Sequence, residues 1–465
     1  MRIADCTLHR TDVKLRMPFR YGIATMTEGP VIFVRIQAEV NGRTWTGISS
    51  DLLPAKWFTK DPGRPIAEEI DEMLRVIQHA GSIAVGLAGE NSFEIWRHLY
   101  DAQMNWAATE SLPPLLANFG VSLVERALIE ATAKATGQSF GQLLQSNALG
   151  VRLNVLHPEL ADAEPRDFLG HPRANVVLRH TVGLADPLAE SDIVDADRLD
   201  DGLPQSLEAS IRAYGLRHFK IKVNGLLEGD LERLRRCAEI IGRCAPANFA
   251  FSLDGNEQFG SVDAFRVFWE AAQGQPDLVE FLSYLLFVEQ PWHRKVALQP
   301  EIGEALSKWK NRPLFIIDES DATLSDFPLA LNLGYRGTSH KNCKGIFKGL
   351  ANRCLIESRA KDFLIMSGED LCNTGPIALL QDLAVMAALG IESVERNGHH
   401  YHAGLSQFPA AVQESVLRRH EDLYCRSSLG WPTLRVNDGR LALGTINSAP
   451  FGVGFELDCG LFEPC

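Results

Sequence analysis

Two lysines one residue apart, Lys220 and Lys222 in the run FKIKVNG, are the first residues in this chain whose spacing suggests chemistry. A strand sends alternate side chains to one face, so both ammonium groups point one way while Ile221 and Val223 point the other. An edge strand kept soluble by charge has this pattern. So has a site in which one lysine tunes its neighbour. Farther on, Asp254 ends FAFSLD, Glu289 ends YLLFVE, Asp318 ends PLFIID and Lys341 ends YRGTSHK, with Lys344 close behind. Each step has the length of one strand–helix unit. Three carboxylates brought to one surface repel one another unless a cation neutralises them. Oxygen-only ligands suit a hard ion, and Mg²⁺ is the usual one.

The elements that must position these residues follow from the surrounding pattern. From about residue 150, short β-rich runs alternate with amphipathic stretches such as DLERLRRCAEIIGRC. The runs are NVVLRHTV, HFKIKV, FAFSLD, YLLFVE, PLFIID, YRGTSHK, FLIMSGE and IESVER. Strands alternating with helices imply parallel strands and right-handed crossovers. Eight such units predict an α/β fold of the (β/α)8 barrel type, with strand carboxyl ends facing the site. No glycine fingerprint supports the alternative of an open doubly wound sheet. The expected division is an α+β capping domain over 1–148, a barrel over 149–415 and a C-terminal segment over 416–465 that completes the cap.

Within the first part, VIFVRIQAEVNGRTWTGISS reads as two strands joined at Asn41–Gly42. RMPFRYGIATMTEGP before it reads as a loop, and residues 64–145 as helical, with Gly137 as the cap of one helix. The polar stretch 156–174 reads as an insertion, and PTLRVNDGRLALGT as a second hairpin about Asp438–Gly439.

Bulk composition narrows the partners. A chain of 465 residues, 45% hydrophobic and 23% charged, has an ordinary globular balance. A net charge of −13 with no basic block argues against nucleic acid. No apolar run is long enough for a membrane span, and the amino terminus lacks a secretory core. Nine cysteines without CxxC pairs argue against structural zinc or a disulfide framework, which makes a cytoplasmic location the expectation.

The ordered set KIK, SLDGNEQF, FVEQP, IIDES and SHKNCKG resembles the enolase superfamily, in particular its mandelate-racemase and muconate-cycloisomerase-like branch. The likeness extends to the helix ERALIEATAKATGQSFGQLL and to the hairpin-bearing first domain. It implies a Mg²⁺ site at Asp254, Glu289 and Asp318, Lys222 as the acid/base, and a sixth-strand lysine facing it. Lys341 matches that lysine by position, with Lys344 as the other candidate. The implied chemistry is removal of the proton alpha to a substrate carboxylate. Lys220, a second ammonium beside the base, would lower its pKa. Racemisation, epimerisation or cycloisomerisation follows from two lysines on opposite faces; a dehydratase uses the same site. Strand seven ends MSGEDLCN, without the histidine of the mandelate-racemase pattern, and WTGISSDLL lacks the glutamate common after the corresponding hairpin.

Around this core, Asn256, Tyr21 and Glu395 are the expected substrate contacts, and the stretches about Arg20 and about Trp57–Phe58 are expected to close over the mouth. Glu319 should point away from the metal if Asp318 faces it. The histidines of GHHYHAG (His399, His400 and His402) match no helical zinc spacing. The expected partner is a small carboxylate, and a homo-oligomer is left open. A glycoside hydrolase would need only Glu289 and Asp318. A barrel that merely binds a ligand would need none of the lysines.

Overall fold

The computed structural model describes all residues from Met1 to Cys465. The chain opens with three antiparallel strands, β1 (Arg2–Tyr21), β2 (Ala24–Val40) and β3 (Arg43–Leu52). The β2–β3 turn lies at Asn41–Gly42, as the alternation predicts, and both residues adopt left-handed backbone. The stretch expected to be a loop is instead the far end of the β1–β2 hairpin. Pairing resumes at Phe19 with Met26 after an irregularity that follows Lys14, and Tyr21 pairs with Ala24. Phe19, Tyr21 and Met26 are buried there between exposed neighbours, and Gly22 stands at the turn with left-handed backbone.

Helices α1 (Ile66–Ala84), α2 (Ser92–Thr109) and α3 (Pro114–Thr136) follow. α3 is buried from Leu115 to Ala133 and ends at the left-handed Gly137. A helix apolar nearly all round must be covered on all sides. α3 is so placed between the first sheet and the barrel. Gly47 of β3 lies so close to it that a Cβ would sit 1.8 Å from the Ala127 carbonyl oxygen. α3 also reaches the barrel through polar groups. Glu125 accepts from the backbone of Ile346 and Phe347, at the start of the helix Ile346–Ser358. Asn118 donates to the Lys344 carbonyl oxygen at 2.8 Å. The segment carrying Lys341 and Lys344 is therefore held from the first domain.

The barrel strands are β4 (Asn175–Val182), β5 (His218–Lys222), β6 (Ala250–Asp254), β7 (Leu285–Glu289), β8 (Phe315–Ile316), β9 (Gly337–His340), β10 (Ile365–Gly368) and β11 (Ser393–Arg396). They coincide with the eight predicted runs. All pair in parallel, β4 joins β11, and a bridge between Ile317 and Thr338 brings β8 to β9, so the eight strands form a nearly closed barrel. The register sets Lys222 beside Asp254 and Asp254 beside Glu289.

The tail differs from its expected hairpin. β12 (Tyr424–Arg426) pairs with β13 (Pro432–Leu434), whereas β14 (Arg440–Ala442) pairs antiparallel with the N-terminal end of β4. Only a single bridge, Asn437 to Arg440, spans the Asp438–Gly439 turn. β15 (Glu463–Pro464) returns to β1 of the first sheet. No helix is long and apolar enough to cross a membrane.

Candidate active site

β5 turns Phe219 and Ile221 toward the helices, and Lys220 and Lys222 toward the barrel axis. Lys220 is the electrostatic centre. Its ammonium lies 2.9 Å from Asp254, 2.8 Å from Glu289, 2.8 Å from Glu369 and 2.9 Å from Glu395. Burial would depress its pKa, but these four carboxylates hold it well above the usual lysine value. It is a fixed positive charge. Lys222 Nζ donates to Asp254 Oδ2 at 2.5 Å and to Asn256 Oδ1 at 2.7 Å. The two lysines thus share one carboxylate, which they keep ionised against its burial.

On the other side, Lys341 Nζ lies 2.5 Å from Asp318 Oδ2 and 3.0 Å from Glu369 Oε2, and 5.1 Å from the centre of the Trp57 ring. Burial opposes its charge, and Asp318 and Glu369 outweigh burial. Lys344 lies behind this layer, on the Asp318 carbonyl and carboxylate and on Ser339 Oγ. Of the two sixth-strand candidates, Lys341 faces the cavity and Lys344 does not.

Glu289 accepts its hydrogen bond from Lys220 alone. Burial, then Asp254 and Glu369, push its pKa well above the carboxylate range, and its buried Oε2 accepts no well-directed hydrogen bond. Glu289, Asp318 and Glu369 each present an oxygen within 4.8 Å of the others. This donor set fits a hard divalent ion. Of the three acids expected to hold it, Glu289 and Asp318 stand in that group, and Asp254 is turned to the two lysines. Glu369 was missed, although it ends the seventh strand just as the other acids end theirs. Glu319 points away, toward Lys60.

The cavity above these groups measures about 40 Å³. Lys220, Lys222, Asp254, Asn256, Lys341 and Glu395 line its floor, and Asp370 and Asn397 one side. Phe19 and Tyr21 of β1 and Trp57, which follows β3, form its roof. Tyr21 donates its hydroxyl to the Ala55 carbonyl oxygen at 2.8 Å, which ties the two roof segments together. Phe58 turns from the cavity onto Phe119, and Arg20 is exposed. Glu395 accepts from Thr181 at 2.6 Å, besides holding Lys220. The histidines lie outside the cavity. His399 Nε2 meets His180 Nδ1 at 3.0 Å, and His402 Nε2 meets the Cys372 carbonyl oxygen at 3.1 Å. Their nitrogens do not converge as a metal site requires.

Acids and lysines thus stand at the strand ends of an eight-stranded parallel barrel, beneath residues of the first sheet, and the same architecture recurs in solved structures. Many solved structures that share it are mandelate racemase/muconate lactonizing enzyme-like. One is a mandelate racemase/muconate lactonizing protein from Herpetosiphon aurantiacus, with 16% identity, TM-score 0.60, and coverage of 98% of this chain and 99% of that one. A muconate lactonizing enzyme from Mucobacterium Smegmatis complexed with muconolactone has 18% identity, TM-score 0.61, and coverage of 98% and 97%. A dipeptide epimerase from Enterococcus faecalis V583, complexed with Mg and L-Leu-L-Tyr, has 17% identity, TM-score 0.59, and coverage of 98% and 99%. At such identities the likeness speaks for the fold. No family model and no curated protein matches the sequence.

Proposed function

We propose that the protein removes the proton alpha to the carboxylate of a small acid and returns it, as a racemase, epimerase or cycloisomerase. The observation that carries this reading is that Lys222 and Lys341 reach one cavity from opposite strands, β5 and β9, with carboxylates between them. Asp254, Glu289 and Asp318 would hold Mg²⁺, with Glu369 beside them. The ion, when bound, supplies Lewis-acid stabilisation of the negative charge that develops on the substrate carboxylate. Lys222 takes the proton on one face. Its direction is set by Asn256 Oδ1 and Asp254 Oδ2, and Lys220 adds a fixed positive charge beside it. Lys341 handles the opposite face, and the aromatic roof excludes water, which strengthens every charge interaction below it. Related folds hold muconolactone in one case, and Mg with a dipeptide in another, which agrees with a small carboxylate substrate.

A second reading draws on Lys341 itself. Two carboxylates and the Trp57 face favour its charged form. A lysine kept as an ammonium acts as a general acid or as a cation beside the enolate, which suits a one-base cycloisomerase or a dehydratase. Exchange of solvent deuterium into a panel of carboxylic acids, with Mg²⁺ and with chelator, tests both. Metal-dependent exchange is expected. Absence of exchange together with absence of Mg²⁺ binding would leave a ligand-binding barrel.

A further inference from the structure

The roof reaches the β5 lysine through one side chain. Lys60, from the loop after β3, is only 7% exposed. Its ammonium donates to the Asn256 carbonyl oxygen at 2.6 Å and lies 2.7 Å from Glu257 and 3.3 Å from Glu319. Asn256 in turn accepts from Lys222 Nζ at 2.7 Å, donates its backbone N–H to Asp254 Oδ1 at 2.8 Å, and directs Nδ2 at Glu319 Oε1, 3.5 Å away. Asn256 and Glu257 both have left-handed backbone, with φ of 40° and 65°. Such a conformation costs a non-glycine residue energy and persists only where its surroundings hold it. Arg294 holds the other side, binding Glu257 and donating to the Trp57 and Phe58 carbonyl oxygens at 2.8 and 2.9 Å. At the β1–β2 turn Gly22, with φ of 48°, lies so near that a Cβ would sit 3.5 Å from Lys60 Nζ. Both roof loops therefore meet on the turn that aims Lys222.

We propose that Lys60 is a positioning residue for Lys222. Docking of the 54–60 loop holds the left-handed turn, and Asn256 Oδ1 then fixes the direction of the Lys222 amine. The inference rests on Lys222 being the base. A lysine head group swings freely on a four-carbon stem and has three tetrahedral directions, two of them N–H bonds and the third a lone pair in the neutral amine. Asp254 and Asn256 take both N–H bonds, so the lone pair is the direction left for the cavity. With Asn256 loose, the amine keeps only its Asp254 partner and the approach geometry is lost. Lys60 and Arg294 balance Glu257 and Glu319 in one closed set. Removing Lys60 alone strands Glu319, whose Oε2 already lacks a hydrogen-bond partner.

The test keeps that set neutral with the double variant Lys60→Met/Glu319→Gln, alongside Lys60→Arg and the wild type. Pulsed acetic anhydride labelling, read by peptide mass spectrometry, gives the reactivity of Lys222 relative to Lys341. The ratio should rise several-fold in the double variant and stay at the wild-type value in Lys60→Arg. An unchanged ratio overturns the proposal, whether neither amine reacts faster or both do equally through simple opening of the loop. In deuterium exchange, kcat should fall about ten- to a hundredfold in the double variant at nearly constant KM, with recovery in Lys60→Arg. A raised KM at unchanged kcat would make Lys60 a substrate contact and overturn it as well. If the wild type exchanges no acid while the labelling ratio still responds, the proton-abstraction reading fails and the positioning of the amine stands.

Discussion

Two buried lysine–carboxylate sets stand within a few ångströms of each other, and they differ in what they leave unfinished. In the sealed one, behind β9, Lys348 pairs with Asp321 at 3.0 Å, Asp321 accepts from Thr338 at 2.9 Å, and Lys344 ties Asp318 to Ser339. In the other, at the mouth, Glu289 has Lys220 as its one hydrogen-bond donor, and Lys222 and Lys341 face a cavity. Both have the same residue types and the same burial. Burial and charge therefore do not mark a site; amines that face a cavity do.

The largest contrast should come from Lys222→Ala, which is expected to lower exchange by about 10²–10⁴-fold, the usual worth of a general base. Steady-state exchange by mass spectrometry measures it, and the circular dichroism spectrum should not change. In the sealed set the effect should fall on stability. Lys348→Met strands Asp321 and should cost about 3 kcal/mol in urea unfolding, with exchange per folded molecule unaltered. A Lys348 variant that is stable but inactive would erase the distinction.

Metal sharpens the same comparison. Mg²⁺ at a hundredfold over its Kd should stabilise the protein by about 2.7 kcal/mol, read as a shift in the thermal midpoint. Asp318→Asn should abolish that shift and Glu319→Gln should keep it, because the two side chains point to different clusters.

A third buried set, of His180, His399 and His400, predicts a pH dependence. Burial lowers all three, His399 to about 3. The folded state keeps these rings neutral while the unfolded chain protonates them near pH 6.5, so the unfolded state binds more protons between about pH 3 and 6.5. Their contribution is whole above pH 6.5 and lost as pH falls, at about 1.4 kcal/mol per pH unit per histidine. Urea unfolding from pH 7 to pH 5 should show this slope, and His399→Phe should reduce it by one proton's worth.

The barrel was legible because its strands are short apolar runs that each end in a chemically distinctive residue. Asp254, Glu289 and Asp318 stood out by falling one unit apart, and the lysine pair by strand alternation. Glu369 escapes although MSGED has the same form, because two acids, Glu369 and Asp370, follow the strand and the sequence does not tell which faces the axis. Lys60 carries no local signal, since its partners lie some 200 to 260 residues away in sequence. The pairing of β14 with β4 was equally hidden, because a turn dipeptide specifies a reversal but not the strand that receives the chain.

The central claim is that two amines serve opposite faces of one carbon. Its most direct test is deuterium wash-in from each enantiomer of an exchanging acid in Lys222→Ala, Lys341→Ala and Lys344→Ala. The account predicts that Lys222→Ala stops exchange from one enantiomer and Lys341→Ala from the other, while Lys344→Ala retains both. Loss of both enantiomers in Lys344→Ala with full activity in Lys341→Ala, or indifference to either sixth-strand lysine, would contradict it.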